Sequence, residues 1–137
     1  DKDTSRGLGD VYKRQVNNLK VERIGHGVHS INDLNLVRYL AETGIVLEVN
    51  PGSNVALGVF RSFAEHPIAK LRDAGVKVTV STDDPPFFHT TMTREFEELE
   101  KAFGWGSDDF KRLNQTALEA AFCDAPTKEI ISKRLDT

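Results

Sequence analysis

Two adjacent carboxylates, Asp83 and Asp84, close the run "VKVTVSTDD" and are followed at once by Pro85 and Pro86. Neighbouring like charges repel, and taking carboxylates out of water is costly unless something positive meets them. They therefore lie in solvent or face a cation. Other chemically capable residues stand at comparable places: His26 lies between Gly25 and Gly27, and Glu48 and Asn50 close the run "GIVLEVN". Imidazole nitrogen and carboxylate oxygen are both zinc donors, and a metal with an open position lowers the pKa of bound water to about 7. A second carboxylate can accept a hydrogen bond from a substrate, and an imidazole beside the water can hold it, orient it or receive its proton. The chemistry implied is hydrolytic.

Each residue also has an ordinary explanation. An Asp before Pro at a strand end is by default a turn former, and a His between glycines is commonly a loop residue. Glu48 is more informative, because a carboxylate inside an apolar strand needs a partner. His29, His66 and His89 read as surface or helix-start residues. Trp105, the Phe pairs and a helix near 107–122 read as packing.

The elements that must position these groups alternate regularly. "VERIG" (21–25), "GIVLEV" (44–49) and "VKVTV" (76–80) read as strands. Between the first two, Ser30 is placed to cap a helix, with Asp33 three residues on and apolar residues Ile31, Leu34, Val37, Leu40 and Ala41 at helical spacing. The connection "NPGSNVALG" is rich in turn formers and is expected to be an exposed, shaped loop. Pro67 suits the first turn of a second helix, carrying Ile68, Leu71 and Ala74. Helical patterns follow around Phe96, Leu99 and Phe103, then Phe110, Leu113, Ala117 and Ala121, then Ile130, Ile131 and Leu135. Strand–helix units in succession predict an α/β fold with parallel strands, either doubly wound or part of a barrel. Both architectures place sites beyond the carboxyl ends of their strands, where every candidate falls.

Composition sets limits on this reading. The 137 residues are 39% apolar and 28% charged, which suits about one globular domain. A formal charge of −3 gives no basic field, so a nucleic-acid partner is not expected. No apolar run approaches the roughly 20 residues needed to span a bilayer, so no membrane partner is expected either. Cys123 is the only cysteine, which excludes an internal disulfide and fits a reducing, cytoplasmic setting. Residues 1–15 lack an initiator Met and any clear period, and "SRGLGDVYKRQ" resembles translated sequencing-adaptor sequence. The expected domain is therefore 16–137, with 1–15 a non-native or disordered segment.

Three ordered motifs, "RIGHG" at 23–27, "LEVNPGSNVALG" at 47–58 and "STDDPPFF" at 81–88, together with the helical "DDFKRLNQTALEAAF", resemble the C-terminal half of the adenosine and adenine deaminase family. The resemblance implies a partial (β/α)8 TIM barrel: the last three strand–helix units plus C-terminal helices. It also implies a zinc-dependent hydrolase that replaces the exocyclic amine of a purine and releases ammonia, with a purine nucleoside as small-molecule partner. Position by position, His26 matches the histidine beside the zinc-bound water, Asp83 the aspartate ligand of zinc, and Asp84 the aspartate that contacts the base. Glu48, Ser53 and Asn54 fall in the segment lining the pocket, in a supporting role. Adenosine is the expected substrate and adenine the alternative.

Two departures matter. The family writes Cys-Pro where this chain has Asn50 and Pro51, which bears on substrate choice. The family's His-x-His pair and its His-Ala-Gly-Glu segment are absent, which removes three histidine ligands and the glutamate that protonates the purine. The remaining ligands are expected in a missing N-terminal part of the barrel, and the 137 residues alone should show negligible turnover. Two other readings compete: a small doubly wound signalling or binding domain that uses the acidic pair for magnesium, and a noncatalytic barrel remnant acting as an interaction protein.

Overall fold

The computed structural model describes residues 16 and 18–135; the reading of residues 1–15 lies outside them. Three strands, β1 (Arg23–Gly25), β2 (Val46–Val49) and β3 (Val78–Val80), form one sheet in sequence order. All pairs are parallel, with Gly25 opposite Glu48 and Val49 opposite Val80, so the three strands end nearly level. Helices make the crossovers, as parallel pairing requires. α1 (Leu34–Thr43) joins β1 to β2, and α2 (Pro51–Ala56) and α3 (Ile68–Asp73) join β2 to β3. Beyond β3 come α4 (Pro85–Phe88), α5 (Met92–Phe103), α6 (Ser107–Ala120) and α7 (Ala125–Leu135).

The start of α1 differs from the expectation. Asp33, not Ser30, caps it, accepting from the backbone N–H groups of Asn35 (2.9 Å) and Leu36 (3.1 Å). Ser30 belongs to a separate 3₁₀ turn, Val28–Asn32, and Leu34 then points outward at 75% exposure. The register of α1 is set by Leu36, Val37 and Leu40, which are buried. A short polar side chain with extended backbone satisfies the orphan N–H groups equally well from either position, so spacing alone did not separate them. "NPGSNVALG" is likewise not an exposed loop: it forms α2, with Pro51, Ser53 and Asn54 buried.

One core sits between sheet and helices. Leu47 and Val49 of β2, Val78 of β3, Leu36 and Leu40 of α1, and Ile68 and Leu71 of α3 are all buried there. Leu99 of α5 and Leu113 of α6 join the same cluster. Fully burying such side chains stabilises by about 1.5–3 kcal/mol each before chain entropy is counted. Phe96 stacks on Phe110, and Phe103 leans on Trp105, so these aromatics pack as expected. Phe87 does not: it is 69% exposed, touching Phe88 edge-on.

Candidate active site

The candidates converge at the carboxyl ends of the strands. His26 follows β1 and its backbone N–H donates to the Glu48 carbonyl at 2.8 Å, which extends the ladder by one step. Ser81 does the same beyond β3, donating to the Val49 carbonyl at 2.9 Å. His26 and Asp83 both have left-handed backbone, at φ +63° and +61°. For residues with a side chain this costs roughly 1–3 kcal/mol each. Gly27, at φ +55°, must be small for a second reason, because a Cβ there would lie 2.9 Å from Leu47 Cδ2.

Asn50, at the end of β2, ties the neighbouring strands together. Its side-chain amide meets one fixed donor, the Asp83 N–H, and one fixed acceptor, the Glu48 carbonyl. The amide oxygen therefore accepts from Asp83 N (3.2 Å), and the amide nitrogen donates to Glu48 O (3.3 Å) and to His26 Nδ1 (3.2 Å). His26 Nδ1 is thus an acceptor, and the ring proton of the neutral imidazole belongs on Nε2. The Asp83 carboxylate is aimed from the other side, where Ser53 Oγ donates to Oδ2 at 2.7 Å. The other carboxylate oxygen, Oδ1, has no protein hydrogen bond among the described residues. His26, Asn50, Ser53 and Asp83 form one linked group, with His26 and Asp83 exposed at the rim and Asn50 and Ser53 buried beneath.

The remaining candidates lie around it. Asp84 is exposed at the start of α4 and makes no capping hydrogen bond with its side chain. Glu48 has found its partner within the sheet: Oε1 lies 3.3 Å from Arg23 Nε, and its side chain is 40% exposed, so it is not the buried charge the strand pattern suggested. Arg23 also stacks over the Phe122 ring at 3.8 Å. Asn54 turns away from the group, its Oδ1 3.0 Å from His66 Nε2.

His66 is therefore not a surface residue. It is 2% exposed, its Nδ1 accepts from Ile68 N–H at 3.2 Å, and its Nε2 donates to Asn54. Burial lowers its pKa from 6.5 to about 4. Above pH 6.5 it is neutral folded or unfolded, and its contribution is fully present. As pH falls from 6.5 toward 4, the unfolded chain takes up a proton that the fold refuses, so stability is lost across that window by up to about 3 kcal/mol. The measurement is denaturant unfolding between pH 7 and pH 5, with His66→Gln expected to fall less steeply than the wild type. Equal slopes would show that His66 is not the cause.

Asn50 and Glu95 are the residues whose roles sequence reasoning missed. Asn50 gave a signal, as a polar residue ending an apolar strand. Glu95 gave one too, lying four residues before Leu99 on the apolar stripe of its helix; it is fully buried. A hollow of about 280 Å³ lined by Val21, Ile45, Lys77 and Thr116 lies at the opposite, amino-terminal end of the strands and holds none of the candidate residues.

The donor chemistry fits one corner of a zinc site. Asp83 offers one braced carboxylate with a spare oxygen, but among the described residues no three His, Cys, Asp or Glu side chains gather to hold a metal ion. A catalytic zinc needs about three protein ligands, so these residues supply part of a set.

A family profile described as adenosine deaminase matches residues 9–137. The chain belongs to the adenosine deaminase family. It is 56% identical over 113 residues to an adenine deaminase of Rhizobium rhizogenes, a stretch covering 82% of this chain and 35% of that one. It is 53% identical over 113 residues to an adenine deaminase of Rhizobium leguminosarum, with the same coverage. The chain thus spans about a third of the length of these relatives. Among solved structures, an adenine deaminase from Arthrobacter aurescens superposes with a TM-score of 0.87 at 26% identity, over 93% of this chain and 39% of that one. An amidohydrolase from Burkholderia ambifaria, solved with bound Zn, gives 0.80 at 27% identity, over 93% and 36%. The fold is accordingly α/β, part of a deaminase (β/α)8 barrel, and the doubly wound alternative falls.

Proposed function

We propose that the chain is the C-terminal part of a zinc-dependent purine deaminase, which replaces the 6-amino group of its substrate with oxygen from water and releases ammonia. The observation that carries this reading is the linked group His26, Asn50, Asp83 and Ser53 at the carboxyl ends of three parallel strands. Asp83 would hold the metal through Oδ1, together with ligands contributed by chain outside these residues. Zinc, when bound, would supply a water far more acidic than bulk water, able to lose its proton near neutral pH.

The chain's own residues contribute positioning. With Nδ1 committed to Asn50, the His26 ring offers Nε2–H, which suits holding and orienting the attacking water rather than receiving its proton. Asp84, exposed on the same rim, is free to accept a hydrogen bond from the purine. Asn50 stands where the resemblance has cysteine, and a thiol, with a single weak donor and a weak acceptor, could not make all three contacts to His26, Glu48 and Asp83, so part of the alignment at this site rests on that amide.

Adenine rather than adenosine is our preferred substrate, supported by the relatives at 56% and 53% identity, both named adenine deaminases. A lone exposed cysteine, Cys123, supports a reducing, cytoplasmic setting. The test compares ammonia release by the zinc-loaded full-length protein from adenine and from adenosine. We expect the larger kcat/KM with adenine. A larger value with adenosine would overturn the substrate assignment, and no turnover of either would overturn the reading itself.

A further inference from the structure

Glu95 is a fully buried carboxylate on α5. None of the ion pairs among the described residues involves it. A buried polar group without an ion-pair partner needs hydrogen bonds, and Glu95 has two. Oε2 accepts from the Gly52 backbone N–H at 2.8 Å, and Oε1 accepts from the Thr90 hydroxyl at 2.7 Å.

Gly52 lies in the first turn of α2, where N–H groups have no partner inside the helix. The residue placed to cap them is Asn50, but its side chain makes no cap. That amide is committed to His26 and Asp83 instead. The vacant role falls to a side chain 43 residues away in sequence, and a carboxylate at a helix amino terminus is also the electrostatically favoured group. The fit is tight: a Cβ on Gly52 would come within 2.1 Å of Glu95 Oε1. Ser53, the next residue of α2, is the one whose hydroxyl holds Asp83 Oδ2.

We propose that Glu95 is a positioning residue: by capping α2 in place of Asn50, it frees Asn50 for the site and fixes the direction in which Ser53 aims the Asp83 carboxylate. Its effect on zinc rests on the function proposed above, whereas its effect on α2 does not.

Glu95→Leu in the full-length protein tests both. Leucine fills much of the space but leaves the Gly52 N–H and the Thr90 hydroxyl without their acceptor, so a modest fall in melting temperature is expected in a chain that still folds. In a metal-free crystal structure of this variant we expect the 2.7 Å hydrogen bond from Ser53 to Asp83 to be broken. Zinc affinity, measured by chelator competition well below the melting temperature, should weaken about 10- to 100-fold, as for other groups that hold a ligand in place. Glu95→Gln should restore the hydrogen bond and most of the affinity, because its amide oxygen can still accept from Gly52 and its NH₂ can donate to Thr90 Oγ. A lower melting temperature with hydrogen bond and affinity intact would mark a purely structural role and overturn the proposal. So would an intact hydrogen bond with weakened zinc binding. A broken hydrogen bond with unchanged affinity would uphold the capping of α2 and overturn its proposed effect on zinc. Should Glu95→Leu not fold, Glu95→Asp, one methylene too short to reach Gly52, is read by the same two measurements.

Discussion

Asp83→Ala in the full-length protein is expected to lose zinc and, with it, nearly all turnover. The substitution deletes the carboxylate whose Oδ1 is available to a metal. It also strands the Ser53 hydroxyl that positions it, while the Asn50 amide oxygen can still accept from the backbone N–H at 83. Removing a group that merely supports a ligand costs about 10- to 100-fold in metal affinity; removing a ligand outright should cost more. Elemental analysis after gel filtration is the direct measurement, with Asp83→Asn as a companion that keeps an oxygen for Ser53 to meet. Stoichiometric zinc in Asp83→Ala would show that the ligand lies elsewhere. The fold should survive, because Asp83 is exposed and lies outside the core.

His26→Ala is expected to separate the two functions of the rim. It should retain zinc, because His26 is assigned to the water and not the metal, while kcat falls about 100- to 1000-fold, the usual cost of removing one aimed donor. His26→Asn is the better-controlled variant, because asparagine tolerates left-handed backbone and the φ of +63° need not relax. A kcat within a few-fold of wild type would remove His26 from the mechanism, and loss of zinc would recast it as a ligand.

Much of this arrangement is legible in the sequence. The three strands, their parallel order and the placing of His26, Asp83 and Asp84 beyond them follow from apolar runs of limited length separated by helical periods. The pairwise partnerships are not legible there. Glu48 meets Arg23 across a strand pair whose register no local pattern specifies. His66 reads as an ordinary residue before a helix, because what buries it is Phe60 against its ring and Asn54 against its Nε2. Glu95 reads as one more charge in an acidic helix until α2 arrives from 43 residues away. Long-range partnerships of this kind are set by packing, and single-chain periodicity carries only a trace of them. Asn50 is the instructive case. Its position is visible, but the bridging role depends on three groups brought together by the sheet.

The left-handed backbone at His26 and Asp83 has a practical consequence for anyone improving this scaffold. Glycine at either position would release roughly 1–3 kcal/mol of conformational strain, against an entropy penalty of about 0.4–1 kcal/mol in the unfolded chain. Directed evolution scored on heat resistance alone would therefore press toward glycine at these two positions, stripping away the two side chains proposed above to hold the metal and orient its water.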